Sequence, residues 1–86
     1  VWPFPLWDEY KDHVKGAVAD IKNMGKERRA GSIAGAVFLQ HFVGENIPWA
    51  HLDIAATAYV REDRALSSGG ATGFGARLVL QLLKDF

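Results

Sequence analysis

Cysteine is absent from this 86-residue sequence, and so are the marks of several other classes of protein. Without cysteine the chain has neither a disulfide framework nor a thiolate metal site. The longest apolar stretch, Ile33 to Leu39, falls far short of the roughly 20 residues that a membrane-spanning helix needs. Ten basic and ten acidic side chains cancel, so net charge gives no support for binding nucleic acid through a basic face.

The composition is that of a packed protein, because 49% of the residues are hydrophobic and 23% are charged. Disorder caused by low hydropathy is therefore excluded. A chain this short without disulfides needs either a very good core or a partner. It also opens at Val1 without a charged-then-apolar leader, and we expect it to come from within a larger polypeptide.

The apolar spacing predicts three helices. Leu6, Tyr10 and Val14 recur every four residues and form one apolar face, so the first helix is expected over 6–14. The length of the next apolar segment predicts a helix over 30–43, and four leucines predict a last helix over 75–84. Glycine inside a helix costs about 1 kcal/mol relative to alanine, so Gly31 and Gly35 indicate close approach to another backbone.

The best strand prediction covers 49–56, where every even position is apolar. The segment 17–23 is read as a short strand or an irregular crossing, and 57–72 as a long loop without a period. A strand apolar on one face and nearly so on the other needs neighbours on both sides and cover on both faces. Since a two-stranded piece alone is marginal, we expect an α/β protein of which this chain is a part.

His51 and Asp53 are candidate metal ligands, because residues two apart on a strand point to the same side. Imidazole and carboxylate can ligate zinc, but a zinc site takes three or four ligands and no third is in view. The alternative is a buried polar pair in which Asp53 accepts backbone N–H groups. Of the other histidines, His41 is interpreted as a charge at a helix end or a surface residue.

The glycine-rich motif at 70–75 resembles a phosphate-binding loop that precedes a helix. A P-loop would continue with lysine and then serine or threonine, whereas this chain continues with Ala76 and Arg77. We therefore interpret these glycines as shaping a tight start to the last helix. Binding of an anion by the backbone at that helix start is the alternative. The basic cluster of Lys26, Arg28 and Arg29 is interpreted as a solvated loop, with binding of a carboxylate or phosphate as the alternative.

Five segments in this order resemble the closing stretch of the cytosol (leucyl) aminopeptidases, and the similarity spans essentially all 86 residues. The most specific is Trp-Ala-His-Leu-Asp-Ile-Ala at 49–55. The others are Val-Trp-Pro-Phe-Pro-Leu-Trp-Asp-Glu-Tyr at 1–10, Ala-Asp-Ile-Lys-Asn at 19–23, Ala-Gly-Ser-Ile-Ala-Gly-Ala-Val-Phe-Leu at 30–39 and Gly-Ala-Thr-Gly-Phe-Gly at 70–75.

The resemblance implies that residues 1–86 are the C-terminal, incomplete part of an aminopeptidase catalytic domain. The implied fold is α/β, a mixed sheet of the zinc-peptidase type with helices on both faces. The implied enzyme is cytoplasmic, assembles as a homo-hexamer and removes leucine-like N-terminal residues from peptides. Two divalent metal ions, zinc or manganese, would polarise the scissile carbonyl and activate water. The metal-binding site and the catalytic residues would both lie outside this segment. No membrane or nucleic acid is implied.

Residue-for-residue comparison with the family implies that this segment forms part of the wall of the substrate pockets. Ala55 and Ala58 resemble positions that line the pocket for the substrate's first side chain, and Met24 resembles one that lines the pocket for the second. Two departures fall at the pocket rim: Ala56 stands where the family usually has glycine, and Tyr59 where many bacterial members have tryptophan. The loop at 26–29 also departs from the commoner glycine-rich version.

Three hypotheses follow for function. The first is a piece of a dinuclear metalloaminopeptidase that is inert unless the rest of the catalytic domain is present. The second is a truncated, non-catalytic relative that serves as a binding or interaction module. The third is a self-contained zinc site built on His51 and Asp53.

Overall fold

The computed structural model describes residues 1–26 and 29–86 as two compact units, Val1–His51 and Leu52–Phe86. The first unit contains a 3₁₀ helix at Asp8–His13 and the helix α1 at Gly31–Gln40. The second contains two short strands, β1 at Tyr59–Val60 and β2 at Gly70–Ala71, and the helix α2 at Phe74–Asp85. The expected presence of both helix and sheet is confirmed.

The small core of the first unit lies between the 3₁₀ helix and α1. Val14, Ala34 and Val37 are buried there, and Leu6 and Tyr10 pack against them as the four-residue spacing predicted. The helical segment is shorter and tighter than the predicted 6–14, because Trp7 is extended and the six-residue piece has no side-chain cap. A segment of that length is too short for a stable α-helix.

Helix α1 confirms the prediction over 30–43, although it ends three residues earlier. Its last turn tightens, with Phe42 donating its N–H to the Leu39 carbonyl at 3.1 Å and Val43 donating to Gln40 at 3.0 Å. The close approach expected at Gly31 and Gly35 is not seen among the described residues, since no atom beyond the neighbouring residues and the backbone of α1 itself lies within 4 Å of a Cβ built on either glycine. No other described backbone approaches α1 at these positions.

The described residues between the 3₁₀ helix and α1 are irregular. Residues 17–23 hold one isolated bridge, between Lys15 and Ile21, which agrees with the irregular alternative. The loop at 26–29 contains Glu27 and Arg28, and any structure predicted for these two falls outside the described residues. After α1 the chain turns at 45–46, with Asn46 in the left-handed region at φ 64°.

The strand predicted over 49–56 is wrong. The backbone pairs with no strand through Asp53 and turns at 55–57, because the alternation of apolar residues reports burial but supplies no ladder of hydrogen bonds. The sheet that the described residues do form is an antiparallel pair, with Tyr59 opposite Ala71 and Val60 opposite Gly70. The larger mixed sheet covered by helices stays a prediction.

The loop between β1 and β2 is fastened at two levels. Gly69 donates its N–H to the Asp63 carboxylate at 2.8 Å, and Arg64 and Ser67 exchange two backbone hydrogen bonds of 2.8 and 3.2 Å around the tip. These contacts and the two strands give regular structure to part of the segment 57–72, which was predicted as a long loop without a period.

Helix α2 confirms the last prediction and extends it by one residue at each end. It has no buried residue, although its apolar side chains recur at helical spacing. Its more exposed apolar side chains include Leu80, Leu82 and Leu83 at 55%, 55% and 68%. Among the helices in the described ranges, none has both the length and the apolar character to cross a membrane.

Candidate functional site

Ala55 and Ala58 lie on a single helical turn formed by residues 54–58, which we call the 54–58 turn. The N–H groups of Thr57 and Ala58 both donate to the Ile54 carbonyl at 2.9 Å. The turn begins where the Asp53 carboxylate accepts the Ala55 N–H at 3.0 Å, a local bond typical of aspartate before a turn. Residues three apart on a helical turn lie on one side, so Ala55 and Ala58 are placed on the same side of the 54–58 turn.

Thr72 joins the 54–58 turn to the start of α2. Its backbone N–H donates to the Ala58 carbonyl at 2.9 Å, and its hydroxyl donates to the Thr57 carbonyl at 2.5 Å. The same hydroxyl oxygen accepts the Phe74 N–H at 3.2 Å. The Arg77 guanidinium donates to the Thr72 carbonyl at 2.5 Å. The hydroxyl, the backbone N–H and the carbonyl of Thr72 therefore all have hydrogen-bond partners.

The glycines of the 70–75 motif shape this junction, as predicted. Gly70 and Gly73 have φ values of 116° and 65°, in the region that glycine adopts most readily. Gly75 leaves room for Ile54, because a Cβ built there would stand 2.8 Å from Ile54 Cδ1. The N–H of Phe74, which an anion at the helix start would use, is already bonded to Thr72.

Met24, the third predicted pocket residue, belongs to the unit Val1–His51, whereas Ala55 and Ala58 belong to Leu52–Phe86. Its side chain is 59% exposed and follows the bridge between Lys15 and Ile21 along the chain. The pocket for the second side chain at Met24, like the pocket for the first at the two alanines, stays a prediction.

His51 and Asp53 have separate partners. The His51 ring stacks on Trp49, with ring centroids 6.2 Å apart and an angle of 24° between the planes. Asp53 accepts the Ala55 N–H, as the structural alternative expected, but it is exposed rather than buried. Residues 1–26 and 29–86 contain no group of three or more histidine, aspartate or glutamate side chains placed to hold a metal ion, so the described side chains do not fit a metal centre.

The remaining histidines lie on the first unit. His41 follows the last residue of α1 and is exposed, in agreement with its interpretation as a residue at a helix end. It meets Phe42 edge-on, with centroids 5.8 Å apart. His13 is tilted against Tyr10 at 6.1 Å.

An open cleft of about 480 Å³ in the first unit was not foreseen from the sequence. Its floor includes Val14 and Val37, and charged groups of both signs surround it, among them Lys15 and Asp20. Neither Met24 nor the two pocket alanines line it. The mixed charge gives the cleft no preference for one class of ligand.

The ion pair between Asp8 and Lys11 lies on the surface beside that cleft. The Nζ–Oδ1 distance is 2.6 Å, and the side chains are 87% and 63% exposed, respectively. A hydrogen bond from Lys11, followed by the charge of its ammonium group, lowers the pKa of Asp8. Exposed pairs of this kind contribute little to stability.

Sequence reasoning did not identify Thr72, Ile54 or Arg77 as parts of the site. The available signal was the glycine-rich motif at 70–75, which marked a tight turn but not its partner. The hydrogen bond from Thr72 to Thr57 joins residues 15 positions apart, and no local pattern encodes such a pairing.

Comparison with known proteins identifies sequences that are similar to this chain. A profile of the cytosol aminopeptidase family, catalytic domain, matches residues 1–80. A probable cytosol aminopeptidase of Syntrophobacter fumaroxidans is 51% identical over 82 residues, which are 95% of this chain and 16% of that protein. One from Prochlorococcus marinus is 49% identical over 80 residues, 93% of this chain and 16% of that protein.

A third relative, a probable cytosol aminopeptidase of Chloroherpeton thalassium, is 49% identical over all 86 residues, again 16% of its length. The chain thus spans about one sixth of the length of the curated relatives that it matches. Since the profile covers most of the chain, these residues belong to the cytosol aminopeptidase family.

Proposed function

We propose that this chain is the C-terminal part of the catalytic domain of an aminopeptidase that releases leucine-like N-terminal residues from peptides. The family match over residues 1–80 supports a peptidase, and the relatives are named probable cytosol aminopeptidases. In this proposal the complete protein is the chain joined to the remainder of its catalytic domain, which is its first partner.

The observation that carries the proposal is the apolar surface left uncovered. In the described part of the chain the buried hydrophobic side chains are Val14, Ala34, Ala36 and Val37. Helix α2, by contrast, has no buried residue along its 12 positions. Apolar surface is stabilised by removal from water at roughly 25 cal/mol per Å², and the remainder of the domain would provide that burial as a mixed sheet with helices on both faces.

The contribution of this segment to the reaction is substrate selection. Ala55 and Ala58 would line the pocket for the first side chain of the peptide, and Met24 the pocket for the second. The adjacency of the two alanines on the 54–58 turn supports their part in one wall. Apolar walls discriminate by size, at about 1–3 kcal/mol per methylene, so small side chains at these positions leave room for a branched aliphatic residue.

The metal ions belong to another part of the proposed enzyme. Two divalent ions, zinc or manganese, would be bound by the remainder of the catalytic domain, because the described residues of this chain form no cluster that suits them. The proposed assembly is a cytoplasmic homo-hexamer that acts on peptides and binds neither membranes nor nucleic acid.

Cleavage of leucine-4-nitroanilide in the presence of manganese tests the proposal. Three samples are compared: the 86-residue chain alone, the remainder of the protein alone, and the complete protein. We expect cleavage by the complete protein and none by either part, with recovery when the two parts are mixed. Cleavage by the chain alone would refute the proposal, and a complete protein that stays inactive with metal would favour a non-catalytic binding module.

A further inference from the structure

We infer that Thr72 is a positioning residue for the substrate pocket, and that its hydroxyl group fixes where the Ala55 and Ala58 methyl groups stand. This inference rests on the proposed function, because the pocket itself is part of that proposal. Thr72 is half-buried and contacts no substrate in this reading. It acts through the 54–58 turn.

The first step concerns the carbonyl groups at the end of the turn. The last carbonyls of any helical segment have no partner inside it and need a donor from elsewhere. Here two consecutive carbonyls, those of Thr57 and Ala58, both receive their donors from Thr72, one from its hydroxyl and one from its backbone N–H. A single residue therefore holds the end of the 54–58 turn.

The second step concerns the other side of the same hydroxyl. Its oxygen accepts the N–H of Phe74, the first residue of α2, and the Thr72 carbonyl is held by Arg77 one turn further along. The hydroxyl thus connects the 54–58 turn to a 12-residue helix. Ile54 completes the junction by packing where Gly75 has no side chain.

The third step is the effect on selectivity. Without the hydroxyl the Thr57 carbonyl and the Phe74 N–H both lose a partner, while the backbone bond from Thr72 to Ala58 remains. The Ala58 bond, the Ile54–Gly75 contact and the β1–β2 pairing still hold the turn, but the Thr57 carbonyl has lost the bond that fixes it, so this end of the turn can shift. A displacement of about 1 Å in a positioning group can cost up to about 100-fold in rate, and the loss should fall on substrates whose side chain reaches the alanines.

Kinetics of the complete protein test this inference. Leucyl- and glycyl-4-nitroanilide are compared for the wild type, Thr72→Val, Thr72→Ser and the surface control Ser68→Ala. For Thr72→Val we expect kcat/KM to fall about 10-fold for the leucyl substrate, mainly through KM, because a displaced apolar wall loses discrimination of that order. The glycyl substrate has no side chain to contact the wall and should change by less than about 2-fold on the same grounds. Thr72→Ser keeps the hydroxyl and should restore leucyl selectivity.

The outcomes distinguish a failure of this inference from a failure of the proposed function on which it rests. A wild-type complete protein that cleaves neither substrate refutes the proposed function. An active wild type with equal losses on both substrates in Thr72→Val, or with Thr72→Ser as impaired as Thr72→Val, overturns the positioning role alone. Should Thr72→Val fail to fold, Thr72→Cys decides, because a thiol is a weaker donor of similar size. Its leucyl selectivity should lie below that of Thr72→Ser, and equality would overturn the role.

Discussion

Gly75 lies so close to Ile54 that a Cβ atom at Gly75 would stand only 2.8 Å from Ile54 Cδ1. Ile54 begins the 54–58 turn and Gly75 is the second residue of α2, so this contact packs the expected pocket wall against the helix. A carbon pair at that distance is well inside the 3.5–4.0 Å optimum of non-bonded contact. A side chain at Gly75 therefore requires the end of the Ile54 side chain to shift.

We predict that Gly75→Ala lowers the free energy of unfolding by about 1 kcal/mol. Overpacking costs about 1–3 kcal/mol, while alanine in a helix recovers up to about 1 kcal/mol relative to glycine. In the double variant with Ile54→Val the crowded methyl is gone, so the two changes should couple favourably. Urea unfolding of the complete protein, followed by circular dichroism, measures all four members of the cycle. Strict additivity would contradict the contact.

Filling the expected pocket should change substrate preference. We predict that Ala58→Leu in the complete protein lowers kcat/KM for leucyl-4-nitroanilide by about 10–200-fold relative to alanyl-4-nitroanilide, because added methylenes occupy the space of the substrate side chain. Ala65→Leu at the exposed tip of the β1–β2 loop is the matched control and should leave the ratio unchanged. Equal ratios in the two variants would remove Ala58 from the pocket.

The core of the first unit gives a stability prediction. Val14 is 2% exposed and Val18 is fully exposed at 103%, so the same substitution can be compared at a buried and at an exposed valine. Val14→Ala should cost about 1–3 kcal/mol, since two buried methyl groups are lost and a cavity remains. Val18→Ala should stay within about 0.5 kcal/mol of the wild type. Urea midpoints of the complete protein measure both, and similar losses would place the core elsewhere.

The surface ion pair gives a prediction about pH. The pKa of Asp8 is lowered by its hydrogen bond to Lys11 and by that residue's charge, so its contribution to folding is present above the unfolded pKa and is lost as pH falls through the folded one. Lys11→Gln should raise the pKa of Asp8 towards its ordinary value without a measurable change in the melting temperature at neutral pH. Carboxyl NMR titration of Asp8 reads the first effect directly, and an unmoved titration would show that Lys11 is not the cause.

The helices could be predicted from the sequence because each carries its own local signal. Both α1 and α2 appear where apolar residues recur over ten or more positions, and their ends differ from prediction by one to three residues. The four-residue spacing of Leu6, Tyr10 and Val14 also identified the face that packs in the core. These patterns need no knowledge of distant partners.

The failures share one cause, which is dependence on residues far away in sequence. Alternation over 49–56 predicted a strand, but a strand exists only with a partner, and none pairs with that segment among the described residues. The close approach expected at Gly31 and Gly35 likewise requires a second backbone that the described chain does not place there.

The candidate site was partly predictable. The resemblance to a family pointed to Ala55 and Ala58, whose part in a pocket stays a prediction, and the structure places both on one turn that is bonded to Thr72. Thr72 itself was invisible in advance because its importance lies in a bond to Thr57 across the β1–β2 loop. A lone threonine among glycines has no period from which such a bond can be inferred.

The β1–β2 loop offers a practical opening for protein engineering. The pairing of β1 with β2 and the bridge between Arg64 and Ser67 hold the two sides of the loop together. Ala65 and Leu66 at its tip are exposed, so substitutions there should disturb few contacts. A short epitope or a fluorophore-bearing peptide inserted between those two residues would lie beyond both the strand pairing and the Arg64–Ser67 bridge. It would report on the neighbouring turn without disturbing the bonds that hold it.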